Sequence, residues 1–206
     1  MQEPKQESKK AISNRARTQA TRAVLLEAAR QLFAAKGYAD TGTPEIVAMA
    51  GVTRGALYHH FPDKLELFRA VVEGEAEAVA EQIASESMES DTALEAMLDG
   101  ADAYFEAMSV PGRARLLLLE GPAILGVTTM AEIDRRTGEN ELRQGLELVL
   151  QGEDSKSIPH GALSAVLSAA FDKAALAVVS GESLEEYRAA LRILLTGIPG
   201  MKSKKP

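Results

Sequence analysis

The chain contains no cysteine among its 206 residues, which excludes disulfides, thiolate-bound zinc, iron–sulfur clusters and thiol nucleophiles together. It lacks an uninterrupted membrane span too, because the longest apolar stretch, Ala162 to Val179, is broken by Asp172-Lys173. Residues Met1 to Lys10 are polar and carry no hydrophobic core of a secretory signal. A soluble, cytoplasmic protein that makes no use of a membrane is expected. Strand signatures are missing, since strict alternation and β-branched density never persist beyond a few residues. Also absent are an internal repeat with a period of about 20–50 residues, a Gly-rich phosphate loop, a metalloprotease motif and a nucleophile elbow. Catalysis has no visible home, so neither an enzyme nor a cofactor is expected.

What the chain does have is helical spacing. With 46% apolar and 26% charged residues it has globular composition, and the apolar positions recur along helix faces almost throughout. The pattern predicts an all-α protein of about nine helices. The first runs from about Thr18 to Lys36, with Leu25, Ala28, Ala29, Leu32 and Phe33 on one stripe and Gly37 as its stop. Thr43-Pro44 reads as a cap and first residue of a short helix to Ala50. Gly51-Val52 turns the chain, and Thr53 caps a second short helix through His60. Capping boxes at Asp63/Glu66, Thr92/Glu95, Thr129/Glu132 and Ser183/Glu186 mark further starts, as do Pro111 and Pro159. A polar loop from Ser85 to Asp91 and a kink at Gly121-Pro122 complete the punctuation.

Charge is divided along the chain. Residues 1–64 carry ten Lys and Arg against six Asp and Glu, a net +4, and the remainder is −11. A basic first third on an acidic body suggests that one end meets a polyanion. Residues 1–17, with Lys5, Lys9, Lys10, Arg15 and Arg17, read as a basic flexible arm, either solvated or in contact with nucleic acid.

Between about residues 42 and 61 lie two helices too short to be stable alone, joined by a Gly turn: the helix-turn-helix plan. The second opens with Thr53, Arg54, Gly55 and Ala56, small or basic residues suited to close approach to base edges. Tyr58, His59 and His60 offer donors to phosphates, and Lys64 adds charge where helix N-terminal amides favour an anion. A basic residue just inside a helix start, such as Arg54, opposes the macrodipole and so points to an external anion, although a plain surface charge is the alternative. Tyr58 can alternatively be a packed aromatic. A metal site at His59-His60 is disfavoured, because adjacent helix residues diverge by about 100° and no third ligand follows at helical spacing.

The segments Ala34-Ala35-Lys36-Gly37-Tyr38, Thr41 to Ile46 and Ala50 to Lys64 strongly resemble the N-terminal signature of the tetracycline-repressor (TetR) family. That resemblance implies a DNA-binding domain over residues 18–64 and an effector-binding, dimerising helical domain over 65–206. It implies that Thr43 contacts phosphate, that Thr53, Arg54, Gly55 and His59 face the major groove, and that Tyr58, His60 and Lys64 hold backbone phosphates. Pro44-Glu45 stands where many relatives carry a basic residue. The implied function is a ligand-responsive homodimeric regulator, most simply a repressor, on a palindromic double-stranded operator with half-sites roughly 34–36 Å apart. The alternatives are a small-molecule-binding helical protein with a vestigial helix-turn-helix, or one that uses the motif on a protein partner.

In the larger domain, Met97, Tyr104, Phe105, Met108 and Met130 suit either an adaptable ligand cavity or plain core packing. Arg113, Arg115 and Glu120 are candidate polar anchors for an unidentified small-molecule effector. Glu95, Asp99, Asp102 and Glu106 share a helix face, as a solvated row or a cation site, and Glu73, Glu75, Glu77 and Glu81 read as solvated. Residues Leu163 to Val179 are apolar almost all round. Leu163, Val166, Leu167, Phe171 and Val178, with Leu184, Tyr187, Leu191, Leu194 and Leu195 of the last helix, are expected to form a four-helix dimer interface, or else the interior of a monomer.

Overall fold

The computed structural model describes the backbone of residues 4–87, 90–137, 139–150 and 158–197, and the side chains of the same residues except 4–14 and 139–141. Among the described residues every regular element is helical: α1 (Pro4–Lys36), α2 (Thr43–Ala50), α3 (Arg54–His60), α4 (Lys64–Ser87), α5 (Ala93–Met108), α6 (Arg113–Arg115), a π-helical turn (Leu116–Glu120), α7 (Gly121–Leu125), α8 (Val127–Thr137), α9 (Glu139–Val149), α10 (His160–Val179) and α11 (Leu184–Gly197). The chain divides into two compact units, residues 1–72 and 73–206.

In the first unit, α1 begins at Pro4 rather than near Thr18, so the backbone expected to be a flexible arm is helical. Its sequence permits this: Pro suits the first helical position, and no Gly or further Pro interrupts the Lys, Gln, Glu, Ala and Arg that follow. The side chains of Lys5, Lys9 and Lys10 lie outside the described residues. The α1 stripe Leu25, Ala28, Ala29, Leu32 and Phe33 is buried throughout. Gly37, at φ 86°, ends the helix with its N–H on the Phe33 carbonyl at 2.8 Å. Phe33 and Tyr38 then meet Phe68 of α4, edge to face, at centroid distances of 5.1 and 5.0 Å. Because Leu67, Phe68, Val71 and Val72 are buried, the first turns of α4 belong to this core. The boundary expected after Lys64 therefore falls at Val72.

Helix α2 is capped by Gly42 without a side-chain bond, and Thr43 is its first residue rather than its cap. The hydroxyl that tightens this corner is that of buried Thr41, which donates to the Gly37 carbonyl at 2.7 Å.

The second unit packs around Phe105, Leu146, Leu150, Leu167, Phe171, Ala174, Leu191 and Leu195. Thr92 and Ser183 cap as expected, accepting from the amides of Glu95 at 3.2 Å and Glu186 at 3.4 Å. Thr129 does not, because Gly126 at φ 83° ends α7 and α8 starts directly at Val127, which leaves Thr129 inside it. Helix α4 continues to Ser87, past the expected start of its loop. The expected kink takes the form of the π turn, closed by Gly121 N–H on the Leu116 carbonyl. Widening the helix there accommodates Pro122, which has no N–H and would crowd the preceding turn of an α-helix. Gly121 is required for proximity: a Cβ there would lie 2.9 Å from the Leu116 oxygen and 2.9 Å from Met130 Sδ. With α6, the π turn and α7 counted as one run, the described residues carry ten helices.

Helix α10 passes a length-and-hydropathy test for a membrane span, with mean hydropathy 1.7. Leu167, Phe171 and Ala174 nevertheless anchor one of its faces in the core.

Two residues depart from the roles expected of them. Glu75 is buried, not solvated, and Arg113 is no free anchor: its Nε donates to Glu75 Oε2 at 2.9 Å and its Nη1 to the Ala107 carbonyl at 2.9 Å. A buried pair that loses one partner strands the other charge. Glu75→Leu should destabilise the protein by about 3–5 kcal/mol, and adding Arg113→Leu should recover much of that loss. Urea denaturation of both variants checks this, and equal losses would mean that the two charges are not coupled.

Candidate nucleic-acid interface and ligand cavity

The helix-turn-helix is assembled from below. Ile46 of α2, Leu57 of α3 and the following Phe61 are buried and seat the two short helices on the core of the first unit. Gly51, left-handed at φ 65°, makes the turn while the Val52 N–H reaches the Val47 carbonyl at 3.1 Å. Thr53 caps α3 by accepting from the Ala56 amide at 3.2 Å. With Leu57 turned inward, Thr53, Arg54, Gly55, Tyr58 and His59 are left exposed, and His60 is half-buried.

The exposed groups are organised. The Arg54 guanidinium carbon stands 5.5 Å from the centre of the Tyr58 ring, one helical turn away. Hydrogen bonds from the side chains of Thr43 and then Arg54 hold the Tyr58 phenol below its usual pKa of 10.0, so Thr43 at the start of α2 is tied to α3. His60 is shifted down from 6.5, by partial burial first and then by His59 and Arg22; at neutral pH it is an uncharged donor or acceptor. Gly55 is not demanded by the fold: a Cβ there would meet only Thr53 Oγ1, at 3.9 Å. Glycine inside a helix gives up about 0.5–1 kcal/mol relative to Ala, so its presence at an open surface position is consistent with close approach from outside.

Lys64 differs from its expected role as a simple anion clamp. Its ammonium donates to the carbonyls of Tyr38 at 2.9 Å and Thr41 at 3.1 Å and lies 4.0 Å from the centre of the Tyr38 ring. That leaves one N–H for an external anion. Glu45 of α2 is paired with Lys36 at 2.6 Å. Arg22 of α1, which the sequence pattern does not single out, stands 5.2 Å from the centre of the Phe61 ring.

The second unit contains a half-open cavity of about 730 Å³, a size at which small-molecule sites occur. Met97, Tyr104, Met108 and Met130 line it, whereas Phe105 and Arg115 do not. Phe105 lies in the core behind, and Arg115 pairs with Glu120 at 2.7 Å. Helix α4 contributes Ala76, Val79 and Ile83 to the wall, and Asp134 and Asp172 complete it. Sequence reasoning passed over Asp172, although its signal was visible as a charge interrupting an apolar helix. The Tyr104 hydroxyl donates to Asp172 Oδ1 at 2.7 Å. Burial raises the pKa of both groups, and for Asp172 the Tyr104 hydrogen bond opposes that rise.

The expected dimer residues separate into three sets. Leu167, Phe171, Leu191 and Leu195 are buried in their own unit, and Leu163, Val178, Leu184 and Tyr187 are half-buried. Val166 and Leu194 remain outside, 67% and 53% exposed, together with Val179 at 57% and Ile193 at 70%. Periodicity could not sort a helix that is apolar nearly all round. The acidic row on α5 is answered by α11: Arg188 Nε lies 2.9 Å from Asp102 and Arg188 Nη2 lies 3.6 Å from Glu106. Among the described residues no cluster of metal-binding side chains is present.

Lys64→Met should lower the stability of the first unit by about 1–3 kcal/mol without any DNA present, because it leaves two carbonyls without their charged donor. Chemical denaturation reads this directly, and native stability would mean that the ammonium has no structural role.

Comparison with known proteins adds relatives to this geometry. A family model described as bacterial regulatory proteins of the tetR family matches residues 25–71, and one described as a tetracyclin repressor-like C-terminal domain matches residues 94–198. The transcriptional repressor BepR of Brucella suis is 44% identical over 63 residues, which are 31% of this chain and only 30% of that protein's length. A TetR-family regulator of Pectobacterium atrosepticum is 32% identical across 93% of this chain and 98% of its own, with a TM-score of 0.63. LfrR of Mycobacterium smegmatis, solved in complex with proflavine, shares the fold at 21% identity and a TM-score of 0.61, over 91% of this chain and 99% of its own.

Proposed function

The chain belongs to the TetR family of bacterial transcriptional regulators, with an N-terminal helix-turn-helix DNA-binding domain, and from that premise we propose that it acts in the cytoplasm as a homodimeric, ligand-responsive repressor of a palindromic operator. The family is one of regulators and not of enzymes. The observation that carries the proposal is the outer face of α3: a capped helix that exposes Thr53, Arg54 and a glycine its own fold does not require. Arg54 and His59 can read base edges in the major groove, and Thr53 and Gly55 let the helix backbone come close. Thr43, Tyr58, His60 and the free N–H of Lys64 would hold phosphates and fix the register.

Repression fits the name of the relative BepR, and response to a small molecule fits the ligand-bound neighbour LfrR. The cavity of the second unit is the site for that effector. Helix α4 supplies a covalent route for coupling, since Leu67 and Phe68 are built into the core around α1 while Ala76, Val79 and Ile83 line the cavity. An effector can act only through different affinities for the DNA-competent and DNA-incompetent geometries.

Fluorescence anisotropy with the intergenic DNA flanking the protein's own gene, at two salt concentrations, tests DNA reading. We expect tight, salt-sensitive binding that is lost in Tyr58→Ala. Arg54→Ala should weaken specific binding by about 1–3 kcal/mol and flatten the preference at one base pair. Equal binding to random DNA would sink the operator assignment.

The exposed apolar set Val166, Val179, Ile193 and Leu194 on α10 and α11 is the face that meets a second subunit. The double substitution Ile193→Glu and Leu194→Glu should convert a dimer to a monomer in analytical ultracentrifugation with helical content unchanged. A variant that stayed dimeric would place the interface elsewhere.

A further inference from the structure

Asp134 and Asp172 are among the residues lining the cavity of the second unit, and among the described residues no Lys, Arg or His lines it. Asp172 is the more telling of the two. It interrupts the apolar run of α10, where an aliphatic residue would serve packing better, and it is held beside the ring of Tyr104, whose hydroxyl donates to Oδ1. That phenol is its only hydrogen-bond donor among the described residues. A carboxylate has about four lone-pair sites to satisfy, and burial holds this one above its ordinary pKa.

Other carboxylates of the same unit are treated differently. Buried Glu75 receives the Arg113 guanidinium at 2.9 Å, and Asp102 receives that of Arg188 at 2.9 Å. Asp172 differs from both: among the described residues its side chain receives a neutral phenol and no Lys or Arg.

We propose that Asp172, positioned by Tyr104, is the recognition group for a small organic cation, an ammonium or amidinium carried on an apolar, aromatic body. This rests on the reading of the cavity as the effector site and specifies its ligand class. The rest of the wall suits such a molecule. Met97, Met108 and Met130 bring adaptable thioethers to the wall, and Tyr104 and Phe171, packed edge to face at 5.7 Å, add aromatic surface to it. The negative charge of Asp172 disfavours an anion of equal size.

The test is fluorescence titration of the full-length protein, without DNA, using three probes of similar size: ethidium as a fixed cation, N-phenyl-1-naphthylamine as a neutral, and 8-anilinonaphthalene-1-sulfonate as an anion. The native protein should bind ethidium at least tenfold more tightly than the sulfonate. Asp172→Asn, which keeps size and an acceptor for Tyr104, should weaken ethidium tenfold or more and leave the neutral amine within twofold. Filling the cavity with Ala101→Trp should abolish both. Equal affinity for ethidium and the sulfonate on the native protein, or ethidium binding indifferent to Asp172→Asn, overturns the proposal. Comparison of the probes on the native protein decides even if a variant fails to fold. Binding of the neutral amine without ethidium overturns the charge preference alone; binding of neither removes the effector-cavity reading as well.

Discussion

The ammonium of Lys64 is the tie on which the DNA-binding unit depends. At the first residue of α4 it gathers the carbonyls of Tyr38 and Thr41, and it lies against the Tyr38 ring, which itself packs on Phe68. The loop between α1 and α2 is thereby fixed to α4, and the position of α2 follows from that loop. With α2 set, Ile46 and Leu57 seat α3, the second helix of the helix-turn-helix, and leave its other side exposed. A charged side chain that reads from sequence as a phosphate ligand thus first determines where the recognition helix stands.

The second unit is organised by a comparable economy at its irregular points. The π turn before Gly121-Pro122 brings the carbonyl of Leu116 and the sulfur of Met130 so close to Gly121 that no side chain fits. Met130 is also part of the cavity wall. The irregularity therefore has a positional result, since it brings α8 close against α7 and shapes the cavity wall. The Arg113–Glu75 pair joins the start of the same helical run to α4.

Much of this was legible before any coordinates. The α1 stripe, the Gly51 turn, the Thr53 cap and the boxes at Asp63, Thr92 and Ser183 follow from short-range rules that act within one turn of chain. Errors arose where a longer-range choice decided. Thr129 matches the box pattern, but Gly126 begins α8 earlier. Leu167, Phe171, Leu191 and Leu195 match an interface pattern, yet an all-round apolar helix does not state which face its own core will take. Among the cavity residues, Met97, Tyr104, Met108 and Met130 were identifiable from side-chain type. Asp172 was not, because a lone charge reads as an interruption until the cavity around it is known.

Gly55 carries a further consequence. Alanine in its place has room, finds no strained backbone and lowers the entropy lost on forming α3. Selection for heat resistance alone would accordingly favour that exchange, and on the proposed reading of α3 the added methyl would stand on the surface that approaches DNA. On that reading thermal robustness and recognition pull in opposite directions at one position, and a variant library ranked by melting temperature would enrich the substitution that costs DNA contact.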